Sequence, residues 1–66
     1  MYENLREIRN NRNISALDMA MVLRLQTRTA YYKKESGIIK FSLKEANLIS
    51  KYLDMTIEDI FIYEEE

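Results

Sequence analysis

The chain has 66 residues, enough for one small domain. It contains no cysteine and no histidine, which excludes disulfide bonds and the thiolate or imidazole ligands of common metal sites. One glycine and no proline favour a compact helical domain over a β-sandwich or a disordered chain. The polar N-terminal residues indicate no signal peptide, and no apolar run is long enough to cross a membrane.

The net charge of −1 conceals an uneven distribution of charge along the chain. Residues 1–51 carry all ten lysines and arginines against five acids, a net charge of +5. Residues 52–66 carry six acids and no base, a net charge of −6. A basic body suits a polyanionic partner, whereas the acidic end would repel or mimic one.

Capping residues and apolar periodicity predict five helices, of which the first covers about Tyr2–Asn11. Leu5 and Ile8 form its apolar stripe. The second helix begins at Ser15, because Ser15 and Asp18 have the spacing of a capping box. Its expected inward residues follow at helical spacing: Met19, Ala20 and Leu23.

The third helix is predicted to follow a turn at Arg24–Gln26, in which Leu25 is the apolar residue placed between helices. Thr27 is expected to cap this helix, which covers about Arg28–Ser36. Gly37 is expected to end it in a left-handed conformation. The second and third helices would thus form a helix-turn-helix.

The last two helices also begin at capping residues. After an extended stretch at Ile38–Phe41, Ser42 and Glu45 form a capping box that opens a fourth helix over about Leu43–Leu53. Its expected buried residues are Leu43, Ala46, Ile49 and Leu53. Thr56 is expected to cap the fifth helix. Three apolar residues of that helix would close the core: Ile57, Ile60 and Phe61.

The third helix has one inward aromatic residue and a polar outer face. Tyr31 is expected in the core rather than as a stacking residue. The outward residues lie toward the N-terminal half of the helix, which is the part that a recognition helix uses to read base edges. These candidate DNA-contacting residues are Arg28, Thr29, Tyr32 and Lys33.

The order of these features resembles the phage repressor and Cro-like (Xre-like) helix-turn-helix family. The matching segments run through nearly the whole chain: Asn4–Arg9, Met19–Ala20 with Leu23, Tyr31–Gly37, Phe41–Ala46 and Thr56–Phe61. The resemblance implies an all-α, compact five-helix lambda-repressor-like domain. We place this DNA-binding domain at residues 1–62 and an acidic C-terminal tail at residues 63–66.

The same resemblance implies a cytoplasmic, sequence-specific transcription regulator, a repressor of phage or mobile-element type. It would bind a double-stranded DNA operator, usually as a homodimer, with its third helix in the major groove. No cofactor, metal, small-molecule ligand or membrane is expected. By family position, the DNA-contacting residues are Thr27, Arg28, Thr29 and Lys33, with Lys40 on the backbone. Arg9 and Glu35 match a pair that usually forms a salt bridge.

The chain departs from the family pattern at three places. Ala16 replaces a glutamine that usually clamps a phosphate and braces the recognition helix. The turn has one additional residue, Gln26, and Arg24 stands where glycine is usual, so the third helix would dock at a different angle. Lys34 replaces an apolar residue; its methylene groups could cover the core while its ammonium group reaches water or phosphate.

Two other classes of function were weighed against DNA binding. A protein-interaction module on the same fold, antirepressor-like or antitoxin-like, is favoured by the lost glutamine, the net acidity and exposed apolar pairs. These pairs would be either additional core or a self-association surface: Leu17 with Met21, Leu48 with Tyr52, and Ile62 with Tyr63. An enzyme is disfavoured, because the chain has no histidine, cysteine or glycine-rich phosphate loop.

Overall fold

Five α-helices follow one another in the computed structural model, which describes residues 2–61. They are α1 (Glu3–Asn11), α2 (Ala16–Val22), α3 (Arg28–Glu35), α4 (Leu43–Leu53) and α5 (Ile57–Ile60). No strand occurs between residues 2 and 61. The all-α prediction is confirmed, and the helix ends that were predicted agree within one or two residues.

Four helices begin at a serine or threonine whose side chain accepts a hydrogen bond from the backbone N–H three residues later. These capping residues are the predicted ones: Ser15, Thr27, Ser42 and Thr56. Both predicted capping boxes are complete, since the carboxylates of Asp18 and Glu45 accept bonds from the capping backbone N–H groups. Local side-chain chemistry therefore fixes where these helices start.

Each of the first four helices is followed by a residue in the left-handed region. Gly37 has φ 91° after α3, as predicted. Asn13 has φ 59° in the asparagine-rich stretch after α1, and Asp54 has φ 58° at the end of α4. Arg24 also has φ 61°, in the turn after α2. This conformation is costly for a residue with a Cβ atom, so glycine would occupy the position of Arg24 with less strain.

The core is formed by packing of α3 against α1 and α2, of α2 against α4, and of α5 against α1 and α4. Tyr31 of α3 is fully buried at its centre, which confirms it as a core residue. The predicted inward residues of α2 are also confirmed, as are three of the four predicted in α4. The buried apolar residues are Leu5, Ala16, Met19, Ala20, Leu23, Tyr31, Ala46, Ile49, Leu53 and Ile60.

One prediction of burial is wrong, and another is met only in part. Leu43 is 75% exposed, because it is the first residue of α4 and its side chain lies beyond the elements packed against that helix. Ile57, the first residue of the four-residue α5, is half-buried and lies outside the packed cluster, whereas Ile60 is buried and Phe61 packs on the core. In both helices it is the first residue that lies outside the packed cluster.

Side chains of α1 tie it to the C-terminal part of the domain. The Asn4 amide donates to the carbonyl oxygens of Asp59 (2.8 Å) and Ile60 (3.0 Å) at the end of α5. The Arg12 guanidinium donates to the Leu53 carbonyl (2.7 Å) at the end of α4. These bonds satisfy carbonyl groups that helix ends leave without partners. They also hold α1 in a fixed position beside α3.

The part of the chain that the structure describes contains no helix long and apolar enough to span a membrane. The predicted acidic tail at residues 63–66 and the Ile62–Tyr63 pair lie outside the described residues.

Candidate nucleic-acid interface

The turn between α2 and α3 places the two helices in a helix-turn-helix-like arrangement. After Arg24, the Leu25 backbone N–H donates to the Ala20 carbonyl oxygen (2.8 Å), which closes the end of α2. The Leu25 side chain is half-buried against the core, as expected for an apolar residue between helices. Thr27 then opens α3 by accepting from the Ala30 N–H (3.1 Å). The turn before α3 and the cap at Thr27 thereby fix the orientation of α3.

Opposite faces of α3 have different environments. Tyr31 and Glu35 lie inside the domain, whereas the outer face is exposed to solvent. All six residues predicted to contact DNA are exposed: Thr27, Arg28, Thr29, Tyr32, Lys33 and Lys40. None of them takes part in either ion pair found within residues 2–61. Their side chains are therefore accessible to an external partner.

A buried ion pair fixes the inner face of α3 to α1. The Glu35 carboxylate accepts hydrogen bonds from Arg9 Nε (2.9 Å) and Arg9 Nη2 (3.3 Å), so the predicted pair is present. The Tyr31 hydroxyl donates to the same carboxylate (2.8 Å), and Arg9 Nη1 donates to the Ile14 carbonyl oxygen (3.1 Å). Sequence reasoning did not include Tyr31 in this group, although its spacing of four residues from Glu35 is a usable signal.

The protonation states within this group follow from its contacts. The hydrogen bond to Glu35 raises the pKa of Arg9, against the opposing effect of burial. Burial, together with the negative charge of Glu35, raises the pKa of the Tyr31 hydroxyl well above its ordinary value. Arg9 therefore stays charged and Tyr31 stays a neutral donor at neutral pH.

Lys34 has a structural role that differs from the expectation of an ammonium group free to reach phosphate. Its Nζ atom lies 3.0 Å from a carboxylate oxygen of Glu45 and 3.3 Å from the Lys40 carbonyl oxygen. Burial alone would raise the pKa of Glu45, but the Ser42 backbone N–H and the Lys34 ammonium outweigh it and hold that pKa below its ordinary value. Lys34 thus connects α3 to the capping box of α4.

An open cleft of about 310 Å³ lies between α1 and the outer face of α3. Its lining residues include Tyr2, Glu3 and Arg6 from the start of the chain. They also include Thr29, Tyr32 and Lys33 from α3. Three of the predicted DNA-contacting residues therefore share one concave surface with Arg6. Sequence reasoning did not select Arg6, although its position three residues before Arg9 places both on neighbouring parts of α1.

Ala16, where the resemblance implied a glutamine in related proteins, lies at the start of α2. Ala16 is the first residue of α2 and is only 4% exposed, within the core cluster. It has no polar side chain with which to bind a phosphate or brace α3. The bracing of α3 comes instead from Arg9, through Glu35, and from Lys34, through Glu45.

We compared the chain with models of known protein families, with curated proteins and with solved structures, and none of the three comparisons gave a match. The fold defines a small all-helical domain with a helix-turn-helix-like unit.

Proposed function

We propose that this chain is a sequence-specific DNA-binding transcription regulator that reads the major groove with α3. The observation that carries the proposal is the arrangement of α3, with Tyr31 and Glu35 anchored in the core and every predicted contact residue exposed. A recognition helix needs this combination, because a fixed inner face positions the outer side chains against base edges.

Different exposed residues would have different tasks in such a complex. Arg28 and Thr29 occupy the first turn of α3, where side chains can reach base edges, and arginine can bind guanine through two hydrogen bonds. Lys33 in the last turn and Lys40 in the following loop are suited to phosphates. Phosphate contacts would set the position on the duplex, and base contacts would select the sequence.

The biological setting that we propose follows from the family resemblance. The protein would be a cytoplasmic repressor of phage or mobile-element type, and two copies would bind a palindromic operator. The half-sites for such a dimer would lie about one helical turn of DNA apart. Analytical ultracentrifugation with and without an operator duplex would test this assembly.

Selection from randomised duplex DNA is the direct test of the proposed function. We expect an enriched motif, and an affinity that falls steeply as the salt concentration rises. Arg28→Ala should relax the base preference at one position of the motif, whereas Lys40→Gln should weaken binding to all sequences alike. Lys51→Gln, on α4, is the charge-matched control. Absence of both an enriched motif and a salt dependence would refute the proposal.

A protein-interaction module on the same fold is the second candidate. The observation that favours it is the outer face of α2, where Leu17 and Met21 are 45% and 67% exposed, one helical turn apart. A partner that covers this pair would bury apolar surface that the described residues leave exposed. Affinity capture compared between wild-type protein and Leu17→Ser/Met21→Ser would detect such a partner. A motif in the DNA selection together with equal capture by both proteins would exclude this candidate.

A further inference from the structure

The cleft between α1 and α3 extends the exposed face of α3 onto a second helix. We propose that Arg6 of α1 binds a DNA phosphate at this cleft and so enlarges the interface beyond α3 and its following loop. The inference rests on the proposed DNA-binding function. It adds a residue that neither the motif pattern nor the family resemblance selects.

The side chain of Arg6 has no partner among residues 2–61. It is exposed, and its guanidinium group forms no hydrogen bond and no ion pair there. Arg9, one turn later on the same helix, is 7% exposed and bound to Glu35. The two arginines therefore have separate roles, because Arg9 fixes α3 while the Arg6 guanidinium is available to a ligand.

The cleft combines cations from two helices. Arg6 and Lys33 line it from α1 and α3, and neither takes part in an ion pair within the described residues. Thr29 and Tyr32, which also line it, carry hydroxyl groups that can donate to phosphate oxygen. A DNA backbone following the outer face of α3 would pass the opening of this cleft.

Two carboxylates also line the cleft, and they differ in the charge that they contribute to it. Glu35 is buried and its charge is balanced by Arg9. Glu3 is exposed and has no ion-pair partner between residues 2 and 61, so it opposes an anion in the cleft. If a phosphate binds at this site, loss of the Arg6 charge should lower the affinity for DNA and loss of the Glu3 charge should raise it.

The test uses the full chain and measures its affinity for an enriched duplex and for a mixed-sequence duplex over a series of salt concentrations. Arg6→Gln and Glu3→Gln are the test variants. Lys51→Gln on α4 and Glu7→Gln on α1 are the controls, since neither residue lines the cleft. Thermal unfolding followed by circular dichroism establishes that each variant is folded.

For Arg6→Gln we expect about fivefold weaker binding to both duplexes, the upper range for an ion pair at an exposed site. Its salt dependence should fall by about one unit of slope, as for the loss of one phosphate contact. Glu3→Gln should bind about twofold more tightly, the scale of a weak exposed repulsion. The controls should remain within the error of the wild type at physiological ionic strength.

The outcomes separate this inference from the proposed function. If the wild type binds DNA and Arg6→Gln matches Lys51→Gln in affinity and salt slope, the Arg6 contact is refuted and DNA binding stands. If Arg6→Gln changes base preference without changing the slope, the phosphate assignment is refuted. If the wild type binds neither duplex, the proposed function and this inference both fail.

Discussion

The buried carboxylate of Glu35 accepts three hydrogen bonds, and the two residues that donate them lie on different helices. Arg9 provides the charge from α1, and Tyr31 provides a neutral hydroxyl from one turn earlier on α3. A buried carboxylate is tolerated only when its charge is compensated and its oxygens are bonded. The helix that would read DNA thus depends on a residue, Arg9, that lies outside the helix-turn-helix unit.

Arg9→Met should lower the free energy of unfolding by about 3–5 kcal/mol, because it leaves the Glu35 charge buried without its cation. Arg9→Met/Glu35→Leu should recover much of that loss, since no isolated charge remains. Urea unfolding of both variants measures the difference. A double variant no more stable than Arg9→Met would show that packing by the Arg9 side chain, rather than its charge, is what matters.

Arg24→Gly should raise the stability of the domain by about 1 kcal/mol. Arg24 has φ 61°, and a left-handed conformation costs a residue with a Cβ atom about 1–2 kcal/mol, part of which the greater unfolded-state freedom of glycine offsets. Thermal unfolding is the measurement. Lys51→Gly in α4 is the control and should lose about 1 kcal/mol. A lower melting temperature for Arg24→Gly would mean that the arginine side chain makes a stabilising contact.

At the scale of the helices, the sequence was most informative about where each one begins. Ser15, Thr27, Ser42 and Thr56 could be found because a capping residue and its backbone partner are neighbours in the chain. The same reasoning placed Gly37 at the end of α3. Local chemistry thus predicted most of the boundaries without knowledge of the tertiary structure.

Sequence reasoning failed where the answer depends on distant parts of the chain. Leu43 has the spacing of a buried residue, but as the first residue of α4 it remains 75% exposed, although Ala46 in the same turn is buried. The Lys34 ammonium group was expected to reach water or phosphate. The sequence does not show that Glu45, on the next helix, lies within reach of it. The cleft beside Arg6 is likewise formed by α1 and α3 together, so no local pattern could reveal it.

Glu45→Gln should reduce the loss of stability at acidic pH. The folded-state pKa of Glu45 lies below its ordinary value of 4.5, so its ionised form favours folding. This contribution is complete above the ordinary pKa and is lost as the pH falls through the lower folded value. Glutamine keeps an oxygen that can accept from the Ser42 N–H but removes the charge that pairs with Lys34.

Urea unfolding between about pH 7 and pH 3 measures this effect, because linkage follows the protons bound on unfolding. Glu58→Gln is the control, since this exposed acid of α5 forms no ion pair among the described residues. If the stabilities of the wild type and Glu45→Gln had the same pH dependence, the contribution assigned to ionised Glu45 would be contradicted.

At the scale of the whole molecule, the core is small and each large buried side chain carries a substantial share of the stability. A domain of this size has only about 3–5 kcal/mol to lose. Ile49→Ala should cost about 2–5 kcal/mol because Ile49 is fully buried, so much of the protein would unfold. Leu43→Ala, on the same helix, should be nearly neutral because Leu43 is 75% exposed.

Circular dichroism at increasing urea concentration compares these two variants directly. A large loss for Leu43→Ala would show that this exposed residue is covered in solution, for example by a second copy of the chain. In that event the loss should depend on protein concentration, because association stabilises the folded state by mass action.

Because Tyr31 is fully buried, the absorbance change on its ionisation should report unfolding of the protein. The chain has no tryptophan and five tyrosines, so tyrosine dominates its near-ultraviolet spectrum. Because burial raises the pKa of Tyr31, the neutral ring favours folding, and this contribution is lost as the pH rises above about 10, the ordinary value. In an alkaline titration, the absorbance of one ionising tyrosine should therefore appear together with the loss of helical circular dichroism. Tyr31→Phe should lack that coupled step.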